Sequence, residues 1–459
     1  MKRSIRWAAV LLTLAAATGV NAQEQKDTLS SQRAGQEQGV NQFTLDASLL
    51  TRGELRRGGL PSDKQDKNEN EADFVVDRAR LTLGYQSDRL TNRKAELSVN
   101  LTIQHEGVWG MENGGDFNIY EAWAQVKAKN GLFARIGRQE LVYDDERILG
   151  NDDWAMAALS HDGLKLGYEG HGHKAHAFVA YNQNGKNVNG GTYYTDGYQP
   201  YKTMQTLWYH YDAKRLPLGV SLLFMNVGMQ SGTEDDYHTV YQQLLGGYLT
   251  VNPKPLLLEA SYYRQTGKSS LEYKSGHELP LKSWMAAVKA TYDFSPKFSA
   301  YAGYDYLSGD KEFVVPDPGH IGLTQHTEIT AFTPVFGENH KFYGAMDFFY
   351  VSAYFGTNSP GLQNLYGGAT IKPVKNLTLD AAYHYVAIAT DLKLNKSLGH
   401  EMEVSATWKP MKDVKIAAGY SFMAGTETME LLKRSTNKRK MHWAWLMFTI
   451  SPRIFSAKW

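Results

Sequence analysis

Arg78-Ala79-Arg80 sets two guanidiniums a single residue apart. On a strand, positions two apart face the same way, so both forks can address one carboxylate or phosphate. This is recognition chemistry, and it breaks no bond. Further along, Glu140 opens a segment carrying five acids, Asp144, Asp145, Glu146, Asp152 and Asp153, around Arg147, Ile148, Leu149 and Trp154. Acids at such density can ligate Ca²⁺ through oxygen, yet the spacing of an EF-hand is missing, and pairing with arginines of the wall is the stronger expectation. Ile148, Leu149 and Trp154 belong out of open water, so the segment is expected to turn inward as a constriction or to pack on a rim. His171, His173 and His176 make no convincing metal site, because the first two fall in the turn Glu169-Gly170-His171-Gly172-His173. His176 and His384 have no serine elbow beside them, so spacing supports no catalytic triad. No catalytic residue, metal or cofactor is assigned.

The elements that position these side chains are strands. In Leu377-Thr378-Leu379-Asp380-Ala381-Ala382-Tyr383-His384-Tyr385 the odd positions are apolar and the even ones mostly polar. A period of two with aromatics on the apolar face is a strand. The split recurs at Met402, Val404, Ala406 and Trp408 against Glu401, Glu403, Ser405 and Thr407, and at Leu97, Val99, Leu101 and Ile103 against Glu96, Ser98, Asn100 and Thr102. Each run reaches the roughly 9 to 11 residues that cross a bilayer at a tilt. About 18 such runs follow one another from Gln42, the even number expected of a bacterial barrel. Connections alternate between tight, often proline-bearing turns, such as Asn252-Pro253-Lys254-Pro255 and Lys409-Pro410-Met411-Lys412-Asp413, and longer loops at 140–161, 183–202, 266–281, 308–364 and 424–441. Aromatic residues within 342–355 leave room for one more hairpin and a count of 20.

The ends and the composition agree. Lys2, Arg3 and Arg6 precede an apolar run and the small residues before Gln23, the layout of an export signal over 1–22. Residues 23–41 read as a flexible periplasmic lead-in and 42–459 as the barrel. The chain has no cysteine, and loss of the signal moves the net charge from +1 to about −2, which argues against nucleic acid as a partner. The expected fold class is therefore all-β, a transmembrane antiparallel β-barrel, with outer-membrane lipid and a hydrophilic solute as partners. The last strand, His442 to Ile450, should close on the first and remove the edge, so a monomer is expected.

The run Gly137-Arg138-Gln139, Asp145-Glu146-Arg147-Ile148-Leu149-Gly150, Trp154 and Asp162-Gly163-Leu164 resembles the signature of the alginate-export family of outer-membrane barrels, and Asn339-His340-Lys341-Phe342-Tyr343-Gly344-Ala345-Met346-Asp347 resembles a long outer loop of that family. The resemblance implies an 18-stranded channel that passes an anionic polysaccharide through a basic constriction, with that role falling on Arg78, Arg80, Arg135 and Arg138. Read from the strand faces, the lumen carries Arg78, Arg80, Lys127, Arg135, Lys165 and Lys289 as cations and Glu96, Glu121, Glu259, Asp305, Asp380, Glu401 and Glu403 as anions. That mixed lining keeps a diffusion channel for small sugars or peptides as the alternative, with a barrel enzyme behind it.

Overall fold

The computed structural model describes residues 41–58, 71–90, 94–182, 194–195, 201–213, 215–272, 278–311, 327–349, 359–433 and 440–459. The segments 1–22 and 23–41, save Asn41, lie outside the described residues.

The alternating pattern folds as one antiparallel sheet. Its strands are β1 (Gln42–Arg57), β2 (Glu71–Leu90), β3 (Ala95–Val108), β4 (Asp116–Ala128), β5 (Leu132–Gln139), β6 (His161–Gly170), β7 (His173–Tyr181), β8 (Thr203–Asp212), β9 (Leu218–Gly232) and β10 (Tyr237–Val251). They continue with β11 (Leu256–Glu272), β12 (Glu278–Pro280), β13 (Ser283–Ser295), β14 (Phe298–Leu307), β15 (Leu362–Val374), β16 (Leu377–Ala387), β17 (Ser397–Met411), β18 (Val414–Gly425), β19 (Lys440–Ile450) and β20 (Arg453–Lys458). Each strand of the wall pairs with its sequence neighbours. β19 also pairs with β1, in a register running from Leu49↔Ile450 to Arg57↔His442, and so closes the ring. Two strands do not count as separate staves. β12 is a three-residue cap on the end of β11, and β20 resumes the ladder of β19 along β1 after Ser451-Pro452. The result is a closed barrel of 18 staves, and the extra hairpin does not form within the described part of 308–364.

Side-chain parity follows the pleat. Leu81, Val99, Leu166, Leu207, Leu245, Val288, Leu365, Met402 and Phe448 are exposed on the outer wall. Their neighbours Arg78, Thr102, Gln104, Lys165, Thr206, Asn364, Glu401 and Ser421 are buried on the inner one. An apolar face outward and a polar face inward suit a wall with lipid on one side. Among the described residues no helix is long and apolar enough to cross a membrane.

Much of the molecule's core lies inside the ring. Leu141, Tyr143, Ile148, Leu149, Phe332, Phe336, Tyr343, Met346, Phe348 and Phe349 come from the connections after β5 and β14. They pack against wall residues Phe178, Met204, Leu223, Met225, Leu244, Tyr263, Met285, Leu307, Leu362, Met423 and Trp443. Both connections belong to the set of long loops, so the filled part is the end of the barrel that carries those loops.

Candidate functional site

Four wall residues anchor one side of the segment 140–160. Arg78 and Arg80 both reach the carboxylate of Asp153, at 3.0 and 2.8 Å, and Arg78 also donates to the backbone carbonyls of Asp153 and Ala155. Burial works against ionisation of Asp153, but the two guanidiniums outweigh it and hold this carboxyl below its ordinary range. Gln104 donates to the carbonyls of Met156 and Ala157. Arg52 lies 3.9 Å from the centre of the Trp154 ring and donates to its carbonyl at 2.9 Å. On the opposite side, Tyr143 stacks on Trp208 at 4.5 Å, and Trp208 Nε1 donates to Asp144 at 3.2 Å. Arg147 is enclosed between Asp145 and Asp305, each at 3.2 Å, with its guanidinium 4.1 Å from the Phe342 ring.

The segment 327–349 completes the filling. It leaves the wall beside β13 and β14, where Ile329 and Leu281 form a bridge and Phe332 N donates to the Ser308 carbonyl. It then pairs with the first segment: Gly150 N donates to Phe336 O, Phe336 N to Ile148 O and Glu338 N to Glu146 O, at 2.9, 3.1 and 2.9 Å. Gly150 permits that approach, since a Cβ there would stand 2.8 Å from Glu338 N. Trp154 and His340 stack at 3.9 Å. Beyond His340, Gly344 takes a φ of 95°, a left-handed turn that favours glycine, and the following amides point at the wall. Met346 N donates to Glu401 at 2.8 Å and Ala345 N to Glu403 at 2.6 Å. A Cβ on Gly344 would fall 2.4 Å from Glu401 Oε2.

These contacts revise several sequence expectations. Arg78 and Arg80 face inward and hold Asp153, the expected pairing of the acidic segment with arginines of the wall, so their forks are taken by the chain itself. Glu401 and Glu403, read as lumen anions, anchor the second inward segment, which pairs with the first. Arg138 is not on the inner wall. It shares its parity with exposed Ile136, and it forms a two-pronged ion pair with Asp162 on the outer face, at 2.9 and 2.6 Å. Positions 135 and 138 are an odd number apart, so one strand cannot turn both inward. Lys127 pairs with Glu169 at 2.6 Å, Glu96 accepts from Ser98, and Glu121 accepts from Asn100 and Trp123. Among the described residues no group of three or more His, Asp or Glu side chains is arranged to hold a metal ion.

Arg135 is placed differently. Its Nε donates to Gln125 at 3.0 Å and its guanidinium lies 4.0 Å over the Trp123 ring, while its terminal nitrogens have no protein partner among the described residues. Directly opposite on β6 stands Lys165. Two cations facing each other across neighbouring strands make a basic spot on the wall, with Glu121, Glu140 and Glu169 as the acids whose charge reaches Arg135. Sequence reasoning missed Arg52, Trp208, Asp305 and His340 as contacts of the inward segments. Asp305 carried a signal as an acid on an inward face, and His340 as part of the block Asn339 to Asp347.

The sequence profile described as Alginate export matches residues 113–392. Solved structures share the fold. Acinetobacter baumannii OccAB1 matches with a TM-score of 0.58 at 12% identity, over 90% of this chain and 97% of its own. Pseudomonas aeruginosa OccK9 (OpdG) gives 0.56 at 14%, over 90% and 98%. Pseudomonas aeruginosa OccK2 (OpdF), solved in complex with glucuronate, gives 0.53 at 11%, again over 90% and 98%. No curated protein matches the sequence. A closed barrel with an apolar outer wall and a polar inner one, matched by this profile over more than half its length, is an outer-membrane channel for hydrophilic solutes. This chain belongs to the alginate export family.

Proposed function

We propose that the channel passes anionic, hydroxyl-rich solutes of the sugar-acid class, from single acidic sugars to an anionic polysaccharide. The observation that carries this reading is the opposition of Arg135 and Lys165 on the inner wall, with Trp123 under the guanidinium and Gln125 beside it. A guanidinium and an ammonium attract a carboxylate, an indole face packs on the C–H side of a pyranose ring, and an amide exchanges hydrogen bonds with hydroxyls. The family description and the glucuronate bound to a structural neighbour support the same class of solute. Arg78 and Arg80 serve this reading indirectly, by fixing the segment that narrows the lumen. The constriction residues Asp144, Asp145, Glu146, Arg147, Asp152, Asp153 and Trp154 belong to that segment, and the barrel works as a monomer because its ring leaves no open edge.

Single-channel recordings test the proposal. Anions should carry most of the current in a salt gradient, and glucuronate should reduce the chloride current in a saturable way. Arg135→Ala should move the reversal potential towards cations and weaken the glucuronate block by about tenfold, the scale of one charge-assisted contact. A second reading, a weakly selective channel for small sugars and peptides, is favoured by Glu121 and by the neutral pair of Lys127 with Glu169 on the same wall. It predicts no preference between glucose and glucuronate and no effect of Arg135→Ala on block.

A further inference from the structure

The two inward segments meet through acids. Glu146, only 3% exposed, faces Glu338 across the backbone bond between Glu338 N and Glu146 O, which sets the two carboxyls beside each other. Two carboxyls so placed avoid repulsion only while a proton remains on one of them. Lys341, 3.6 Å from Glu146, is the nearby cation, and Asp152 adds a further negative charge. Asp152 in turn faces His340, Asp347 and Asp153. On the far side of the first segment, Asp144 faces Trp208, Ser221, His210 and Asp145.

We infer that the two segments form one plug, held in the lumen by protonated carboxyl groups at their shared interface and against the wall and released as those groups ionise, so that the channel opens as pH rises. The inference rests on the channel reading above and adds its regulation. Burial and the adjacent Glu146 push Glu338 up to about 8, and burial pushes Asp152 and Asp144 up to about 6. In the released plug these groups regain ordinary carboxylate behaviour. A group whose docked value is raised favours docking fully below its ordinary value, and that contribution is lost as pH climbs through the raised one. For Asp144 and Asp152 the loss is complete near pH 6, and for Glu338 near pH 8. Between its ordinary value and about 8, Glu338 alone lowers the ratio of docked to released plug by about tenfold per pH unit.

The test uses the full-length barrel, folded into detergent and then into planar bilayers, with hydrogen exchange of 140–160 and 327–349 measured alongside and corrected for the intrinsic pH dependence of exchange. In the wild type, conductance and exchange of both segments should rise together between pH 5 and 9. Glu338→Gln keeps a donor for Glu146 without a titrating proton, and should stay closed and protected at pH 9. The chain has no cysteine, so Leu149→Cys with Phe336→Cys places one disulfide across the bridge between the segments. Oxidised, that variant should lose its pH response, and reduced it should regain the wild-type one. A wild type whose exchange is flat with pH, or a Glu338→Gln variant that responds like the wild type, overturns the inference. If exchange rises with pH while the bilayer stays silent, the plug is pH-sensitive as inferred and the channel reading is what fails.

Discussion

Arg78 and Arg80 show how a residue can be found by its chemistry and still be used otherwise. The spacing of two guanidiniums announces an oxyanion site, and an oxyanion is bound there, but it is the chain's own Asp153. A fixed internal carboxylate cancels much of the charge that a passing solute would meet. Replacing both arginines by alanine should therefore act on the loop more than on selectivity: mean conductance and open-channel noise should rise, and the reversal potential should move less than in Arg135→Ala. A large shift towards cations at unchanged conductance would return the selectivity role to this pair. Arg135 was equally legible as an inward cation, yet nothing in the sequence separated it from Arg78, because the partner of each is set by how a distant loop lies in the lumen. Asp305, Asn364, His384 and Glu403 make the same point. They link Arg147 of one inward segment to Ala345 of the other through four strands of the wall, a path of contacts no local pattern encodes.

At the level of elements, the strands were readable because the wall imposes one rule at every position: alternate residues meet lipid and lumen. That rule fixes the faces of β16 and β17, with Leu379 and Val404 outward and Asp380 and Glu403 inward. Leu379→Arg or Val404→Arg puts a charge on the lipid side, which costs about 2 to 4 kcal/mol near the midplane. Assembly, followed by the heat-modifiable mobility of the folded barrel, should drop for both. Asp380→Arg should assemble normally, and if it fails as badly as Leu379→Arg the faces are assigned the wrong way round. Glu403→Arg stays on the lumen face, and the hydrogen bond from Ala345 N predicts normal assembly with a loosened second segment. The aromatics within 342–355 look like strand material and left room for a hairpin, which does not form in the part the structure describes, up to Phe349. Phe332, Phe336, Tyr343, Phe348 and Phe349 are instead buried in the lumen, where apolar residues on an irregular backbone are sheltered by the wall around them. Period two cannot report such a segment, whose environment comes from the rest of the barrel.

For the molecule as a whole, the decisive contact is the seam where the chain's last stave meets its first. β19 covers Leu49 to Arg57, which leaves the first part of β1 without a partner on that side. Ser451-Pro452 interrupts the ladder, since proline brings no amide hydrogen; pairing resumes at Asp46↔Arg453, and the register then slips between Asp46 and Leu45. β20 then covers Gln42 to Asp46, Arg453 holds the Asp46 carboxylate at 2.8 Å, and Asn41 and Trp459 exchange backbone hydrogen bonds at 2.9 and 3.1 Å. The residues beyond Ile450 are the remainder of the closing strand, carried on along β1 past one bulge. Deleting 453–459 should thus leave β19 paired but expose the amides and carbonyls of Gln42 to Asp46 inside the membrane, where each unsatisfied group is costly. The expected outcome is a sharp loss of folded, heat-modifiable barrel. Trp459→Ala keeps every backbone bond of the seam and should lose far less. Equal loss in the two variants would mean that the terminal aromatic is read as a signal in its own right and that closure of the edge is secondary. Normal folding of the deletion would mean that β19 alone suffices to seal the ring.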